Sequence, residues 1–167
     1  MIKPGDVLLI DTNAIIEALR VNCWKAIATL YKIETVAECV QELGTGSKAN
    51  QKDVELVRET ARVHNVTPME CIALNQSYDL SDLMDAGERD LVAHALLRSD
   101  AWFLCGPDKS TIRALHALGL LARAVSLEGV IQVARIPVKL AFKYNYTEHW
   151  LSDKSTEIRL QQLHKGN

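Results

Sequence analysis

Residues 7–14 read Val7-Leu8-Leu9-Ile10-Asp11-Thr12-Asn13-Ala14, an apolar run that turns abruptly polar. The run follows Gly5 and ends at Asp11, which is typical of a strand buried on both faces of a sheet. Beyond Asn13 the apolar residues recur at helical spacing, so Asp11, Thr12 or Asn13 is the predicted N-cap of a helix. A buried strand that leads directly into a helix predicts a βα unit and, with it, a parallel sheet.

The rest of the chain continues this alternation. We predict further strands at residues 33–36, 101–105 and 122–127, and helices around residues 24–30, through Val40 and Leu43, at 51–63, at 88–98, through Ile112 and Leu118, and at 128–133. Residues 65–85 contain Pro68 and an Asp-rich second half, so we expect an edge strand followed by a long loop there. This order predicts an α/β fold of three layers, α/β/α, with a central, mainly parallel sheet.

The length of 167 residues indicates one domain with a small appendage. We expect an α/β domain at residues 1–135 and an aromatic-rich helical appendage at residues 136–167, whose last helix starts near Ser152 or Asp153. The appendage contains four closely spaced aromatic residues near two lysines. The aromatic residues are Phe142, Tyr144, Tyr146 and Trp150. Such residues can stack on nucleobases, but docking on the body of the protein or on a second subunit is the favoured interpretation.

Charge and composition exclude several classes of protein. Lys and Arg number 19 against 21 Asp and Glu, and this net charge of -2 gives no global basic field for nucleic acid. No apolar run reaches the roughly 18 residues of a membrane span, and the run before Asp11 is too short for a signal peptide. The cysteines have no zinc or redox spacing and are expected to be buried free thiols, so we expect a soluble cytoplasmic protein.

Acidic residues fall where ligands of parallel sheets bind, beyond the carboxyl ends of the strands. Asp11 ends the first strand and Asp108 follows the strand at residues 101–105, so both are expected at the same edge. Glu88 shares its helical face with apolar residues and is predicted to point inward, near the positive end of the helix dipole. Spacing alone leaves Glu38 and Glu42 as equal candidates for a fourth acid.

A cluster of carboxylates predicts a bound cation. Neighbouring carboxylates raise one another's pKa unless a cation compensates their charge. Ligands that offer only oxygen favour Mg²⁺ or Mn²⁺ over zinc. Such ions assist the displacement of phosphate esters without a nucleophile from the protein.

Four segments together resemble the PIN-domain family of metal-dependent ribonucleases. They occur in the family's order and span nearly the whole chain up to about Val133; they are Leu8-Leu9-Ile10-Asp11-Thr12-Asn13-Ala14, Val40-Gln41-Glu42-Leu43, Gly87-Glu88-Arg89-Asp90-Leu91-Val92-Ala93-His94-Ala95 and Leu104-Cys105-Gly106-Pro107-Asp108. Gly87-Glu88 and residues 114–120 look particularly like a prokaryotic PIN-like subgroup of poorly known function.

The resemblance implies an acidic quartet that binds Mg²⁺ or Mn²⁺ and cleaves RNA. Its members would be Asp11, Glu42, Glu88 and Asp108, which selects Glu42 over Glu38. Thr12 and Asn13 would position the first aspartate or a water on the metal. The family more often has aspartate at the place of Glu88, so Asp90 is a candidate to share that role. Lys109 and Arg113 are candidates to bind the substrate.

The implied activity is that of an endoribonuclease acting on single-stranded or unstructured RNA. A toxin role with an antitoxin-like protein partner, and a homodimer, are also compatible with this family. The alternative is a catalytically weak PIN-like module for binding or assembly, favoured by the net acidity and by the glutamate at position 88. A phosphohydrolase with Asp11 as covalent nucleophile is less favoured, because Asn13 stands where such enzymes usually carry a second aspartate.

Overall fold

In the computed structural model, the described residues are 1–46, 49–79 and 84–165, with side chains up to residue 161. This part of the chain holds a sheet of four strands in the order β3-β2-β1-β4. The strands are β1 (Val7–Ile10), β2 (Lys32–Val36), β3 (Arg62–His64) and β4 (Trp102–Cys105). All three pairings are parallel. The predicted parallel sheet is therefore confirmed.

Helices cover both faces of this sheet. In chain order they are α1 (Thr12–Arg20), α2 (Trp24–Leu30), α3 (Ala37–Thr45), α4 (Gln51–Thr60), α5 (Pro68–Ser77), α6 (Ala86–Leu96), α7 (Lys109–Ala117), α8 (Leu127–Val133) and α9 (Glu148–Lys165). Leu8 and Ile10 face a core shared with α1, α2 and α8. Val7 and Leu9 face a second core built with α5, α6 and α7. The fold is thus a three-layer α/β/α sandwich, as predicted.

The edge of the sheet differs from the prediction. The helix predicted over residues 51–63 ends at Thr60, and Arg62–His64 instead form β3, which pairs with β2. The edge strand predicted within residues 65–85 is also wrong, because α5 occupies Pro68–Ser77 and the described part of that stretch holds no strand. Thr67 and Glu70 cap α5 reciprocally, and Pro68 stands in its first turn. Residues 80–83 lie outside the described residues.

Two further boundaries depart from the sequence-based expectation. The strand predicted at residues 122–127 is wrong, since Leu121–Arg123 form a 3-10 turn and only Ala124 bridges β4. Ser126 is already the N-cap of α8. The final helix starts at Glu148, four residues before Ser152, because the Thr147 hydroxyl accepts a hydrogen bond from the Trp150 backbone N–H.

The C-terminal segment packs on the body of the protein. Tyr146 belongs to the core on the α1 side, and Trp150 and Ile158 pack with Ile112 of α7. Tyr144 is exposed. The interpretation that these aromatics dock on the body is confirmed for Tyr146 and Trp150. None of the helices in the described ranges has the length and apolar character needed to cross a membrane.

Candidate functional site

Asp11 lies at the carboxyl end of β1, where the chain enters α1. Its backbone N–H donates to the Cys105 carbonyl at the end of β4 at 3.1 Å, which joins the two strand ends. Its Oδ2 accepts a hydrogen bond from the Asn13 backbone N–H at 3.1 Å, so Asp11 is the N-cap of α1. Of the three residues predicted as candidates for this N-cap, Asp11 is the one that caps α1, and the cap also turns the carboxylate inward to a buried position.

Burial and nearby acids raise the pKa of the Asp11 carboxyl. Burial raises the pKa of Asp11 to about 7, the Asn13 N–H opposes this shift, and the charges of Asp85 and Asp108 add to it. Among the described residues, the groups that affect this pKa most include no cation. Because none of these groups in the described part of the chain is positively charged, the Asp11 carboxylate favours binding a proton or another cation.

Glu88 and Asp108 meet where α6 and α7 begin. Glu88 is buried in the first turn of α6, and the Ser110 hydroxyl of α7 donates to its Oε2 at 2.7 Å. Burial raises the pKa of Glu88, the Ser110 bond opposes this, and Asp108 adds to it through a hydrogen bond and through its charge. The inward direction predicted for Glu88 is confirmed, and it brings Glu88 beside Asp108.

Glu42 is held between α1 and α6. Its Oε2 accepts a hydrogen bond from the Thr12 hydroxyl at 2.7 Å, and its Oε1 accepts one from the Gly87 backbone N–H at 3.1 Å. A Cβ on residue 87 would lie 2.8 Å from that Oε2, so only glycine allows this approach without a shift. Thr12 thus orients Glu42 through its hydroxyl, while the backbone of Asn13 orients Asp11.

The auxiliary residues predicted from sequence have other contacts. Asp90 lies 3.4 Å from the Arg89 guanidinium, and it is not among the groups that most affect the pKa of Asp11 or Glu88. Lys109 forms an ion pair with Glu157 of α9. Arg113 is half-buried on α7. The candidates for substrate binding therefore lie on the helix that follows Asp108, and Lys109 is already neutralised by an acid.

Asp85 and Ser110 were missed by the sequence reasoning. Asp85 is the N-cap of α6, and its side chain accepts a hydrogen bond from the Glu88 backbone N–H at 2.8 Å. Its charge raises the pKa of both Asp11 and Glu88. The signal was present, because Asp85 and Glu88 have the spacing of an N-cap and an N3 glutamate. Ser110 carries no comparable signal, since its role depends on how α7 packs beside α6.

The edge acids interact but do not form one tight group. In the part of the chain that the structure describes, the set of at least three ligating residues whose ligand atoms all lie within 4.8 Å is Glu34, His64 and His94. The predicted quartet does not meet that distance. Charges and contacts link three of its members, because Asp108 acts on both Asp11 and Glu88. The fourth member, Glu42, bonds to Thr12 and Gly87. A cation there would have to draw the carboxylates closer together.

Cysteine chemistry is not a feature of this edge. Cys39 and Cys105 are buried there, and the Cys39 thiol lies 4.0 Å from Asp11 Oδ1. Burial raises the pKa of Cys39 to about 12, and it also raises that of Cys105. Both thiols are therefore protonated at neutral pH and poor nucleophiles. The expectation of buried free thiols is confirmed for these two and for Cys23, whereas Cys71 is half-buried.

Comparison with models of known protein families found no match to this chain, and a search of curated proteins found no significant match. Membership of the PIN-domain family therefore stays a prediction from the four segments quoted above. The parallel sheet and the acids at its carboxyl edge are the structural features that bear on its function.

Proposed function

We propose that this protein is an endoribonuclease that depends on a divalent metal and hydrolyses phosphodiester bonds at the carboxyl edge of the sheet. One observation carries the proposal. Asp108 raises the pKa of both Asp11 and Glu88, although the three residues come from distant parts of the chain. Buried carboxyls with raised pKa values and no compensating base among the groups that set them are typical of functional sites.

The donor set at this edge fits a hard cation. The side chains that would hold it are Asp11, Glu88 and Asp108, with Glu42 and Asp85 beside them, and all offer carboxylate oxygens. The Thr111 hydroxyl, buried in the first turn of α7, has no hydrogen-bond partner among the described residues and is available to a bound water or ligand. Bound Mg²⁺ or Mn²⁺ would supply Lewis-acid activation of water and of the phosphate.

The residues of the chain prepare the edge for this role. The Asn13 N–H fixes Asp11, Ser110 fixes Glu88, and the Thr12 hydroxyl fixes Glu42. These bonds hold carboxylates near one another against their mutual repulsion. Holding them in advance reduces the reorganisation that binding and reaction would otherwise require.

The proposed substrate is single-stranded or unstructured RNA. With a net charge of -2 and an acidic edge, the chain repels a polyanion unless a cation lies at the site. The ion pair with Glu157 offsets the positive charge that Lys109 would offer to a phosphate. We therefore expect RNA binding to depend on the metal, with Arg113 and Lys109 as the nearest basic residues on α7.

The test is cleavage of an unstructured RNA with Mn²⁺, compared among the wild type, Asp11→Asn and Asp108→Asn. We expect the wild type to cleave and both variants to lose most of the activity. Asp153→Asn, an acid on α9 bonded to the Tyr144 hydroxyl, is the matched control and should retain it. Full activity in both edge variants would reject the proposed site.

A catalytically weak module for binding or assembly is the second candidate. It is favoured by the spacing of the edge acids, which exceeds that of a three-ligand group, and by the pairing of Lys109 with Glu157. Calorimetry with Mn²⁺ separates the two functions, because a pure interaction module should show no heat of binding that depends on Asp11. A homodimer and an antitoxin-like protein partner stay predictions from the sequence.

A further inference from the structure

A second group of ligating side chains lies on the same sheet, away from the acidic edge. It consists of Glu34 on β2, His64 on β3 and His94 on α6, and one ligand atom from each lies within 4.8 Å of the others. His64 Nε2 is 2.7 Å and His94 Nε2 is 3.9 Å from the same oxygen, Glu34 Oε2. The two imidazole rings stack with their centroids 4.2 Å apart. We name these three residues the histidine cluster.

The topology explains why these residues meet. β2 and β3 pair with Val36 beside His64, so Glu34 and His64 are diagonal neighbours on adjacent strands. Glu34 shares a face of β2 with Val36, and Val36 belongs to the core built with α6. α6 packs against β2 and brings His94 over this face. The cluster therefore links the edge strand of the sheet to the helix that covers it.

The contacts of His94 indicate which of its two ring nitrogens carries the hydrogen. Its Nδ1 lies 2.8 Å from Glu70 Oε1, and Arg98 Nη1 lies 3.1 Å from its Nε2. A guanidinium group can only donate, so Nε2 carries the lone pair and Nδ1 donates its proton to Glu70. A carboxylate that orients a histidine through the other ring nitrogen is the usual partner of a metal-binding histidine. His94 thus presents Nε2 to the cluster in the form that binds a metal.

A cation already occupies the centre of the cluster. Arg98 Nη1 lies 2.5 Å from Glu34 Oε2 as well as near His94 Nε2. The rest of the guanidinium is held outside by Asp100, through Nε at 2.8 Å and Nη2 at 2.6 Å. Because the guanidinium is planar and rigid, Nη1 can leave the cluster only if the whole group moves. Asp100 is exposed, so its carboxylate can move outward together with the guanidinium and remain its anion.

We propose that Glu34, His64 and His94 form a zinc-type metal site, in which a divalent ion replaces Arg98 Nη1. Two imidazole nitrogens and one carboxylate oxygen are a ligand set for Zn²⁺ and Co²⁺ rather than for Mg²⁺. Zinc bonds of about 2.0–2.1 Å place tetrahedral ligands about 3.3 Å apart. The His64–Glu34 distance of 2.7 Å and the His94–Glu34 distance of 3.9 Å each differ from that by about 0.6 Å.

The site does not depend on the proposed nuclease activity, because it shares no residue with the acidic edge. Three ligands from the chain leave a fourth position for water. A metal bound there would join β3, the three-residue edge strand, to β2 and α6. A ligand that binds only the folded state stabilises it, so Zn²⁺ should raise the unfolding temperature.

The experiment is a titration of the chelator-treated full chain with Zn²⁺ by calorimetry, with Co²⁺ absorption as the reporter of histidine ligation. We expect one ion per chain, retained in Asp11→Asn and lost in His94→Gln and His64→Gln. Glu70→Gln should weaken binding about 10–100-fold, since it removes the carboxylate behind His94. Glutamine suits the capping position of residue 70, so this variant keeps the start of α5. Arg98→Gln, which removes the competing cation, should tighten binding.

Three outcomes would overturn the proposal. No zinc binding by the wild type means that Arg98 is the permanent cation of the cluster. Binding that disappears in Asp11→Asn and persists in His94→Gln places zinc at the acidic edge instead. Unchanged affinity in both Glu70→Gln and Arg98→Gln contradicts the assigned contacts, even if the histidine variants prove unfolded by circular dichroism. Loss of RNA cleavage in Asp11→Asn alone bears only on the nuclease proposal.

Discussion

The Gly87 backbone N–H donates to Glu42 Oε1 at 3.1 Å, and that carboxylate also fills the space that a side chain at position 87 would need. The two residues thereby fix how closely α3 and α6 approach. The Cys39 sulfur would lie 3.1 Å from the same added carbon, so the position is enclosed from two sides. Glycine at position 87 is therefore required by the geometry of the site as well as by packing.

Gly87→Ala should displace the Glu42 carboxylate and loosen the contact between α3 and α6. Overpacking of this kind costs about 1–3 kcal/mol of the free energy of unfolding, and it should also weaken Mn²⁺ binding at the edge. Urea denaturation and calorimetry measure the two effects. The control is Gly44→Ala, since nothing lies within 4 Å of a Cβ at that helical glycine. Equal effects of the two substitutions would contradict this explanation.

Thr12→Val should distinguish the effect of the Thr12 hydroxyl group from the effect of the shape of its side chain. The variant keeps the volume but removes the 2.7 Å bond to Glu42, which costs about 1 kcal/mol in unfolding free energy. With Glu42 less well oriented, Mn²⁺ affinity should fall. Thr12→Ser retains the hydroxyl and should retain the affinity. If the serine variant loses as much affinity as the valine variant, the methyl group and not the hydroxyl is what matters.

The contribution of Asp11 to the stability of the metal-free protein should fall as the pH rises from about 4 to 7. Asp11 has a pKa of about 7 in the folded chain against an ordinary value of 3.8, so the folded state binds more protons in this window. The contribution of Asp11 to the free energy of unfolding is full below a pH of 3.8 and is lost as the pH rises through about 7. The change is on the order of 1 kcal/mol per pH unit for one such group.

Denaturation of the wild type and of Asp11→Asn between pH 5 and 8, with chelator present, checks this dependence. Burial lowers the pKa of His64, which gives an opposite trend near pH 6, so the difference between the two proteins is the informative quantity. Asparagine is a good N-cap and carries no charge, and the variant should be more stable than the wild type at pH 8. Parallel pH profiles of the two proteins would show that the Asp11 pKa is not raised.

Trp150→Ala should disrupt much of the packing between α9 and the body of the protein. Trp150 is buried against Ile112, and truncation of such a residue costs roughly 3–5 kcal/mol. Tyr144→Ala is the control, because Tyr144 is 54% exposed. A single denaturation transition at lower urea concentration in Trp150→Ala is expected if residues 136–167 fold together with the rest. Two separate transitions would instead support the appendage as an independent unit.

Local signals in the sequence account for much of the architecture. The apolar run of β1, a helix cap within residues 11–13 and the inward face of Glu88 depend on residues a few positions apart, and each is found where the pattern predicts it. The meeting of Asp11 and Asp108 at one edge follows from parallel topology, which the alternation of strands and helices already indicated.

Long-range packing decided the rest. β3 has three residues and exists because it pairs with β2, so no local pattern separated it from the end of α4. Spacing could not choose between Glu38 and Glu42, and Glu42 is the one joined to Thr12 and Gly87. The histidine cluster also stayed hidden, since Glu34, His64 and His94 share no spacing. Periodicity and capping are short-range effects, so the sequence by itself determined the elements that depend on them. Contacts between distant segments depend on how the helices pack on the sheet, and only the tertiary structure defines that packing.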